Sequence, residues 1–220
     1  MAALGDLLVL GGPVVWILSL FSLVALTIIL AKLCQFWTLR DDRSRAAEHA
    51  LAHFAQGERA QALLLTKGQR GPRSQLVAQG IGLIETGKLD AGALRQELLR
   101  QARLRLLALA SFLRPLEVIA TLAPLLGLLG TVLGMIEAFQ AMEAAGAQVN
   151  PAVLSGGIWK ALLTTAVGLA VAIPVSLAHS WLERRVENQA ALVQNDLEHL
   201  LSLHAGAAQS AEQHRSAKYA

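Results

Sequence analysis

Apolar residues in this chain gather into three long runs, and the charged residues fill the gaps between them. From Leu7 to Ala31 there are 25 consecutive residues without a charge, bounded by Asp6 and Lys32. A second run extends from Pro115 to Ile136, between Arg114 and Glu137, with Glu117 as its one interruption. The third spans Ala161 to Leu182, between Lys160 and Glu183. A helix rises about 1.5 Å per residue and the hydrocarbon core of a bilayer is about 30 Å thick, so about 20 residues cross it. Each run is long enough. None shows the one-sided apolar stripe that a helix in a soluble bundle needs. The pattern therefore predicts an all-α membrane protein with three transmembrane helices. Removable signal peptides begin with a basic segment, but here the first basic residue is Lys32, after the apolar stretch. The first run accordingly reads as a retained span.

Between the first two runs the pattern changes to short helices. Ala and Leu interleaved with Glu and Arg predict helices over Arg43–Ala55 and Glu58–Leu65. Lys67–Ser74, reading KGQRGPRS, is rich in breakers and predicts a loop. A further short helix is predicted from Gln75 to Glu85, ending at Gly87. Asp90 then reads as an N-cap, followed by Leu94, Leu98, Ala102, Leu106 and Leu109 at helical spacing. That stripe runs straight into the second span, which predicts one long helix entering the membrane from the cytoplasm, bent at Pro115. The third span is likewise expected to continue, because Val186, Val193, Leu197 and Leu200 keep one apolar face. From about Ala205 the residues are small and polar, and disorder is predicted.

Composition sharpens this picture. The chain is 54% hydrophobic and only 16% charged, where a soluble domain carries about a quarter. The single cysteine, Cys34, excludes an internal disulfide framework. Of the 19 Lys and Arg residues, 14 lie between Lys32 and Arg114 and four more follow the third run. The first 31 residues and the link from Glu137 to Trp159 hold none, and Lys160 is the exception. Basic loops stay in the cytoplasm, so the N-terminus is expected outside and the C-terminus inside. The sequence holds no HExxH motif, Walker loop, GxSG elbow or cysteine pair. No enzyme activity, cofactor, metal or nucleic-acid partner is expected, and the lipid bilayer is the expected surroundings.

Function in such a chain is sought where polar groups sit at membrane depth. In the second span Gly130 and Gly134 form a GxxxG pair, and Ala123, Gly127 and Thr131 recur every four residues. Thr164, Gly168, Ala172 and Ser176 do the same in the third. Helices in lipid associate by close backbone approach, so such stripes mark packing faces; Gly127, Gly130, Gly134, Gly168 and Pro174 are the packing candidates. Taking Glu137 and Lys160 as the charges at the outer border, Thr131 and Thr165 lie roughly 9 and 7.5 Å below it. Two neighbouring antiparallel helices would thus present hydroxyls at nearly one level. Thr164 is about 100° round the helix from Thr165, so only one of the two is expected to share the face of Thr131; Thr131, Thr165 and Thr164 are the candidates for the ion pathway.

The segments LRPLEVIATLAPLLGLLGTVLGMIEAF (113–139) and GGIWKALLTTAVGLAVAIP (156–174) resemble the two signature segments of the ExbB/TolQ/MotA proton-channel family. The likeness is greatest to the ExbB and TolQ branch. The threonine of the family's GTV-x-G pattern falls on Thr131, and that of its ALL-x-TA-x-GL pattern on Thr165. The resemblance implies a homopentamer whose second and third helices, extended into the cytoplasm, surround a central pore. It implies a dimeric ExbD- or TolR-like partner whose single helix carries a membrane aspartate beside those threonines. It further implies a TonB- or TolA-like protein beyond, and a motor driven by the proton motive force in a bacterial inner membrane. On this reading the chain divides into a periplasmic N-terminus and first span (1–37), a cytoplasmic helical region (38–112), a second span (113–140), a periplasmic link (141–153), a third span (154–182) and a cytoplasmic extension with a disordered tail (183–220).

One position departs from the family. Many members carry a glutamate where this chain has Lys160, and a lysine there is no acidic proton stop. At the bilayer centre it would cost roughly 2.5 to 3.5 kcal/mol, but at the border it can snorkel into the headgroups. The sequence favours snorkelling over an ion pair with Glu137 or Glu143. Glu117, at the inner end of the second span, is expected either to pair with Arg114 or to face the pore's inner exit, and His179, near the inner border, reads more readily as an interfacial hydrogen-bonder than as a relay. Two other readings stand beside the motor. One is a non-conducting homo-oligomeric scaffold, for which Lys160 and the basic cytoplasmic helices speak. The other is a flagellar-type stator, against which the single large cytoplasmic loop speaks.

Overall fold

The computed structural model describes residues 12–39, 45–69, 71–145 and 151–218. Among these residues there are seven helices and no strand: α1 (Gly12–Leu39), α2 (Arg45–Ala55), α3 (Arg59–Thr66), α4 (Pro72–Thr86), α5 (Ala91–Ala110), α6 (Leu113–Ala145) and α7 (Pro151–Lys218). The chain divides into two compact units, one of the residues up to Lys32 with Phe112–Leu182, the other of Leu33–Ser111 with Glu183 onward.

The first unit contains α1 up to Lys32, α6 and the part of α7 up to Leu182. Among the described residues, three helices are long and apolar enough to cross a membrane. The outer surface of this unit is covered by large apolar side chains: Leu20, Leu23, Leu125, Leu128, Leu162 and Leu177 are all more than half exposed. In water that surface would be unstable; against acyl chains it needs no partner. Tryptophans mark both edges. Trp16 and Trp37 stand exposed 21 residues apart on α1, about 32 Å of helix, and Trp159 and Trp181 stand 22 apart on α7, about 33 Å. An indole at each end of a hydrocarbon thickness is the interfacial belt of a spanning helix. Polar groups within the spans satisfy themselves: Ser19 donates to the Val15 carbonyl, and Thr27 to that of Leu23, both at 2.8 Å. Val14 and Leu18 of α1 pack on Ala123 of α6 and Ala172 of α7.

The second unit is held by a different force. Its core comes from all four short helices and the distal half of α7, with Leu51, Leu76, Ile81, Leu98, Leu197 and Leu200 at most 2% exposed. At Gly80 the absence of a Cβ leaves room for the end of the Leu200 side chain, which would have to shift if one were added. Asp90 caps α5 as expected, its carboxylate accepting from the Ala93 amide at 2.6 Å. Gly87 closes α4 with φ +58°, in the left-handed region that favours glycine. Glu97 accepts hydrogen bonds from Arg100 and Gln101 on the same helix, which lowers its pKa to about 2.

Several boundaries differ from the sequence expectation. The helix entering the membrane is not continuous: α5 ends at Ala110, α6 begins at Leu113, and Phe112 between them has φ +65°. Pro115 explains the position. It has no amide to donate to the carbonyl of Ser111, and its ring crowds that carbonyl, so the break falls four residues upstream of the proline. α4 starts at Pro72, inside the expected breaker loop, because proline fits the first helical position and holds Gly71 extended. The tail expected to be disordered from about Ala205 is helical to Lys218. It is small and polar but rich in alanine, and Gly206 alone is not enough to stop an established helix. Residues 1–11, 40–44 and 146–150, on which the start of the first run and the outer link were read, lie outside the described residues.

Arg73, read from sequence as a loop residue, is buried. Its Nε donates to Asp196 Oδ2 at 2.6 Å and its Nη2 to Asp196 Oδ1 at 2.8 Å, with Glu48 Oε1 at 3.4 Å. The bonds to Asp196 hold the guanidinium above its ordinary pKa, and they tie α4 to α7 across 123 residues of sequence. The remaining amino group, Nη1, is buried with no partner among the described residues. Removing one member of such a pair strands a buried charge, whereas replacing both with apolar residues is often neutral or better. Asp196→Ala should therefore destabilise the chain by about 3–5 kcal/mol, and the double replacement Arg73→Met/Asp196→Leu should recover most of that loss. Thermal unfolding of the detergent-extracted protein, followed by circular dichroism, measures both.

Candidate functional site at the α6–α7 seam

α6 and α7 run antiparallel within the first unit, and the contact between them is made of the smallest residues each offers. A Cβ added at Gly127 would lie 3.0 Å from the Thr165 backbone, and one at Gly168 would lie 2.7 Å from the Ala123 carbonyl oxygen. One at Gly134 would lie 2.9 Å from Ala161, and one at Gly157 2.6 Å from Ala138. At Gly130 it would fall on the hydroxyl of Thr164. The seam therefore follows Ala123, Gly127, Gly130, Gly134 and Ala138 on α6, and Gly157, Ala161, Thr164, Gly168 and Ala172 on α7. Both helices step by 4, 3, 4 and 4 residues along it.

That stepping corrects the stripes read at uniform four-residue spacing. Four residues turn a helix by about 400°, so a strict four-step stripe drifts roughly 40° each time and leaves the contact after two steps. Thr131 accordingly sits beside the seam, half-exposed, and Ser176 is exposed, while Gly130 and Val175 take the inward positions. Pro174, expected among the packing residues, is exposed inside α7. The mixed stepping of 4, 3, 4 and 4 was present in the sequence and takes in Gly157, Ala138 and Ala161 as well.

The threonines divide by partner. Thr131 donates its hydroxyl to the Leu128 carbonyl of its own helix at 2.7 Å. Thr165 donates across the seam to the Gly127 carbonyl at 2.9 Å. Thr164, 3% exposed, has its hydroxyl oxygen 2.7 Å from the Ala161 carbonyl and 3.3 Å from that same Gly127 carbonyl. Both neighbours on α7 thus reach one acceptor on α6. Gly127 makes this possible: with no side chain it exposes its carbonyl to the adjacent helix, and the absence of a Cβ lets the Thr165 backbone come close. Thr131 and Thr165 do not bond one another; their hydroxyls take separate carbonyls.

Toward the C-terminal end of α6 and the N-terminal end of α7, Lys160 Nζ lies 3.4 Å from Glu137 Oε2, with 39% and 65% of the two side chains exposed. The structure thus adopts the ion pair that the sequence had placed second to snorkelling. The antiparallel register sets it, since the contact of Gly134 with Ala161 brings the next turns of both helices level. An exposed pair of this kind adds little stability, at most about 1 kcal/mol. Glu117 is exposed near the start of α6, its backbone carbonyl accepting from Thr121 at 3.0 Å, and His179 is partly buried on α7. Among the described residues no cluster of His, Cys, Asp or Glu could hold a metal.

Residues 68–195 match the model of the MotA/TolQ/ExbB proton channel family. The chain is 30% identical over 186 residues to the putative biopolymer transport protein ExbB-like 3 of Synechocystis sp., covering 84% of this chain and 87% of that one. It is 45% identical over 78 residues to the biopolymer transport protein exbB1 of Vibrio cholerae, and 41% identical over 71 residues to the Tol-Pal system protein TolQ of Haemophilus influenzae. In these last two the similarity spans only 34% and 31% of the relative's length.

The seam geometry predicts unequal tolerance among glycines. Gly168→Ala drives a methyl against backbone and should cost about 1–3 kcal/mol, lowering the unfolding temperature in detergent. Gly156→Ala, where nothing lies within 4 Å, should leave it nearly unchanged.

Proposed function

This chain belongs to the MotA/TolQ/ExbB proton channel family, and on that premise we propose that it is the multi-copy membrane subunit of a motor driven by the proton motive force. Five copies surround a pore built from α6 and α7. The pore holds the paired single helices of an ExbD- or TolR-like partner, which hands the work on to a TonB- or TolA-like protein for biopolymer import or envelope maintenance. The N-terminus lies in the periplasm and the extended helices in the cytoplasm of a bacterial inner membrane.

The observation that carries this reading is the cross-helix bond from Thr165 to the Gly127 carbonyl. It supports a role for Thr165 beyond packing, because the hydroxyl is polarised at membrane depth and held on a single bond that it can exchange. A proton entering from the periplasm binds a carboxylate oxygen of the partner's membrane aspartate, crosses as that side chain moves, and leaves to the cytoplasm. Each ionised aspartate needs donors while it waits at this depth. Thr165 and Thr131 are the hydroxyls set to supply them, by turning from their present carbonyls. Each proton delivers about 2.3 kcal/mol per 100 mV. At the outer mouth Lys160 and Glu137 compensate each other, and that pair takes the place of the family's glutamate. It also keeps the scaffold reading alive, since a neutralised mouth suits a subunit that conducts nothing.

Removing the hydroxyl while keeping the shape separates these readings. With the complex purified from its own host and rebuilt into vesicles, Thr165→Val should abolish potential-driven proton uptake, read by an internal pH-sensitive dye, while the subunit composition is unchanged. Uptake at the wild-type rate would remove Thr165 from the pathway. A wild-type complex that lacks a small single-span partner and conducts nothing would favour the scaffold.

A further inference from the structure

Thr164 is absent from the resemblance, which assigns its threonine to Thr165, yet it is the better buried of the two and shares the same acceptor. We propose that Thr164 is a positioning residue that stands in for Thr165 on the Gly127 carbonyl whenever Thr165 turns toward the ion pathway. The inference rests on the channel reading and specifies how its central residue is released.

Hydrogen-bond accounting leads there. A carbonyl oxygen has two lone pairs. In an α-helix one lone pair of Gly127 belongs to the amide four residues on, that of Thr131. The other takes the Thr165 hydroxyl at 2.9 Å. Thr164 has one hydroxyl hydrogen and two carbonyls in reach, Ala161 at 2.7 Å and Gly127 at 3.3 Å. While Thr165 occupies Gly127, the Thr164 hydrogen belongs to Ala161. Once Thr165 leaves, rotating the Thr164 hydroxyl hydrogen, with no heavy atom moving, restores a donor to Gly127. Ala161 then keeps its own helical donor, the amide of Thr165. At every stage one hydroxyl of α7 bonds α6, so the release of Thr165 does not strip the seam of its cross-helix bond in a medium that offers no water to replace it.

The seat is shaped for this. Thr164 is 3% exposed and its side chain occupies the space that a Cβ on Gly130 would take. Its oxygen therefore cannot wander from the two carbonyls. Only the hydrogen is free to choose. Alanine or valine at this position would still fill part of the seam, but neither carries a donor, and each turn of Thr165 would then leave Gly127 one bond short.

The test uses the complex from its own host in vesicles, with proton uptake read for wild type and for Thr164→Val, Thr164→Ser and Thr165→Val. The proposal expects Thr165→Val to be inactive and Thr164→Val to be about five- to tenfold slower with its subunit composition intact, matching the loss of one hydrogen bond. Thr164→Ser, which keeps the hydroxyl and loses a methyl, should return most of the rate; a role in packing alone predicts the reverse order, with valine tolerated and serine impaired. Wild-type uptake in Thr164→Val overturns the proposal while leaving the channel intact. If Thr164→Val fails to assemble, Thr164→Ala is read in its place, and failure of both to assemble overturns it in favour of a purely structural hydroxyl. A wild-type complex that takes up no protons at all overturns the channel reading itself, a result separate from any ranking of the Thr164 variants.

Discussion

The approach of α6 to α7 is the constraint on which the membrane half of this protein depends. In lipid no hydrophobic force draws two helices together, since acyl chains solvate leucine as well as another leucine does. What remains is backbone proximity and the hydrogen bonds it permits. Glycine and alanine along a face stepping by three and four residues allow that proximity, and Gly127 adds a carbonyl open to the neighbouring helix. The buried threonines follow from this. A hydroxyl held between two helices must find an acceptor or carry the full cost of desolvation. Here the acceptor exists because one residue on the facing helix has no side chain.

The same helix, α7, continues in a region governed by other physics. Beyond Glu183 its buried face belongs to a conventional aqueous core, closed by leucines from four short helices and by Gly80, which makes room for Leu200. That core also contains a buried ion pair, Arg73 with Asp196, whose two short bonds fix where α4 meets α7. Such a pair is weak evidence for stability, since well-packed apolar replacements of both partners are often neutral or better. The first unit covers itself with leucine and leaves the covering to lipid; the second gathers leucines from several helices into a core of its own. One continuous helix serves both by changing which face is small and which is apolar.

The ion pair between Lys160 and Glu137 is a consequence of the seam rather than a cause of it. With 39% and 65% of the side chains exposed, it is too open to hold the helices. Its importance is in sign. In the proposed channel, a lysine at this position would change what an entering cation meets, and the neighbouring Glu137 cancels that charge locally.

The spans and the capped helix at Asp90 were legible in the sequence, because each depends on local properties: run length, charge at the ends of a run, and a side chain within reach of its own backbone. The basic residues carried an expected orientation in the same way. The break near Pro115 was visible as a proline but placed too late, since its effect falls on the carbonyl four residues before it. The small-residue faces were half legible. Gly127, Gly130, Gly134 and Gly168 stood out, yet uniform four-residue stepping drew in Thr131 and Ser176, which the helical drift turns away. What no local property could supply is pairing across the chain. Arg73 finds Asp196 at a separation of 123 residues, and Thr164 and Thr165 converge on the carbonyl of Gly127. Such contacts depend on which turn of one helix lies against which turn of another, and that register is a property of two surfaces fitted together, which neither segment carries alone.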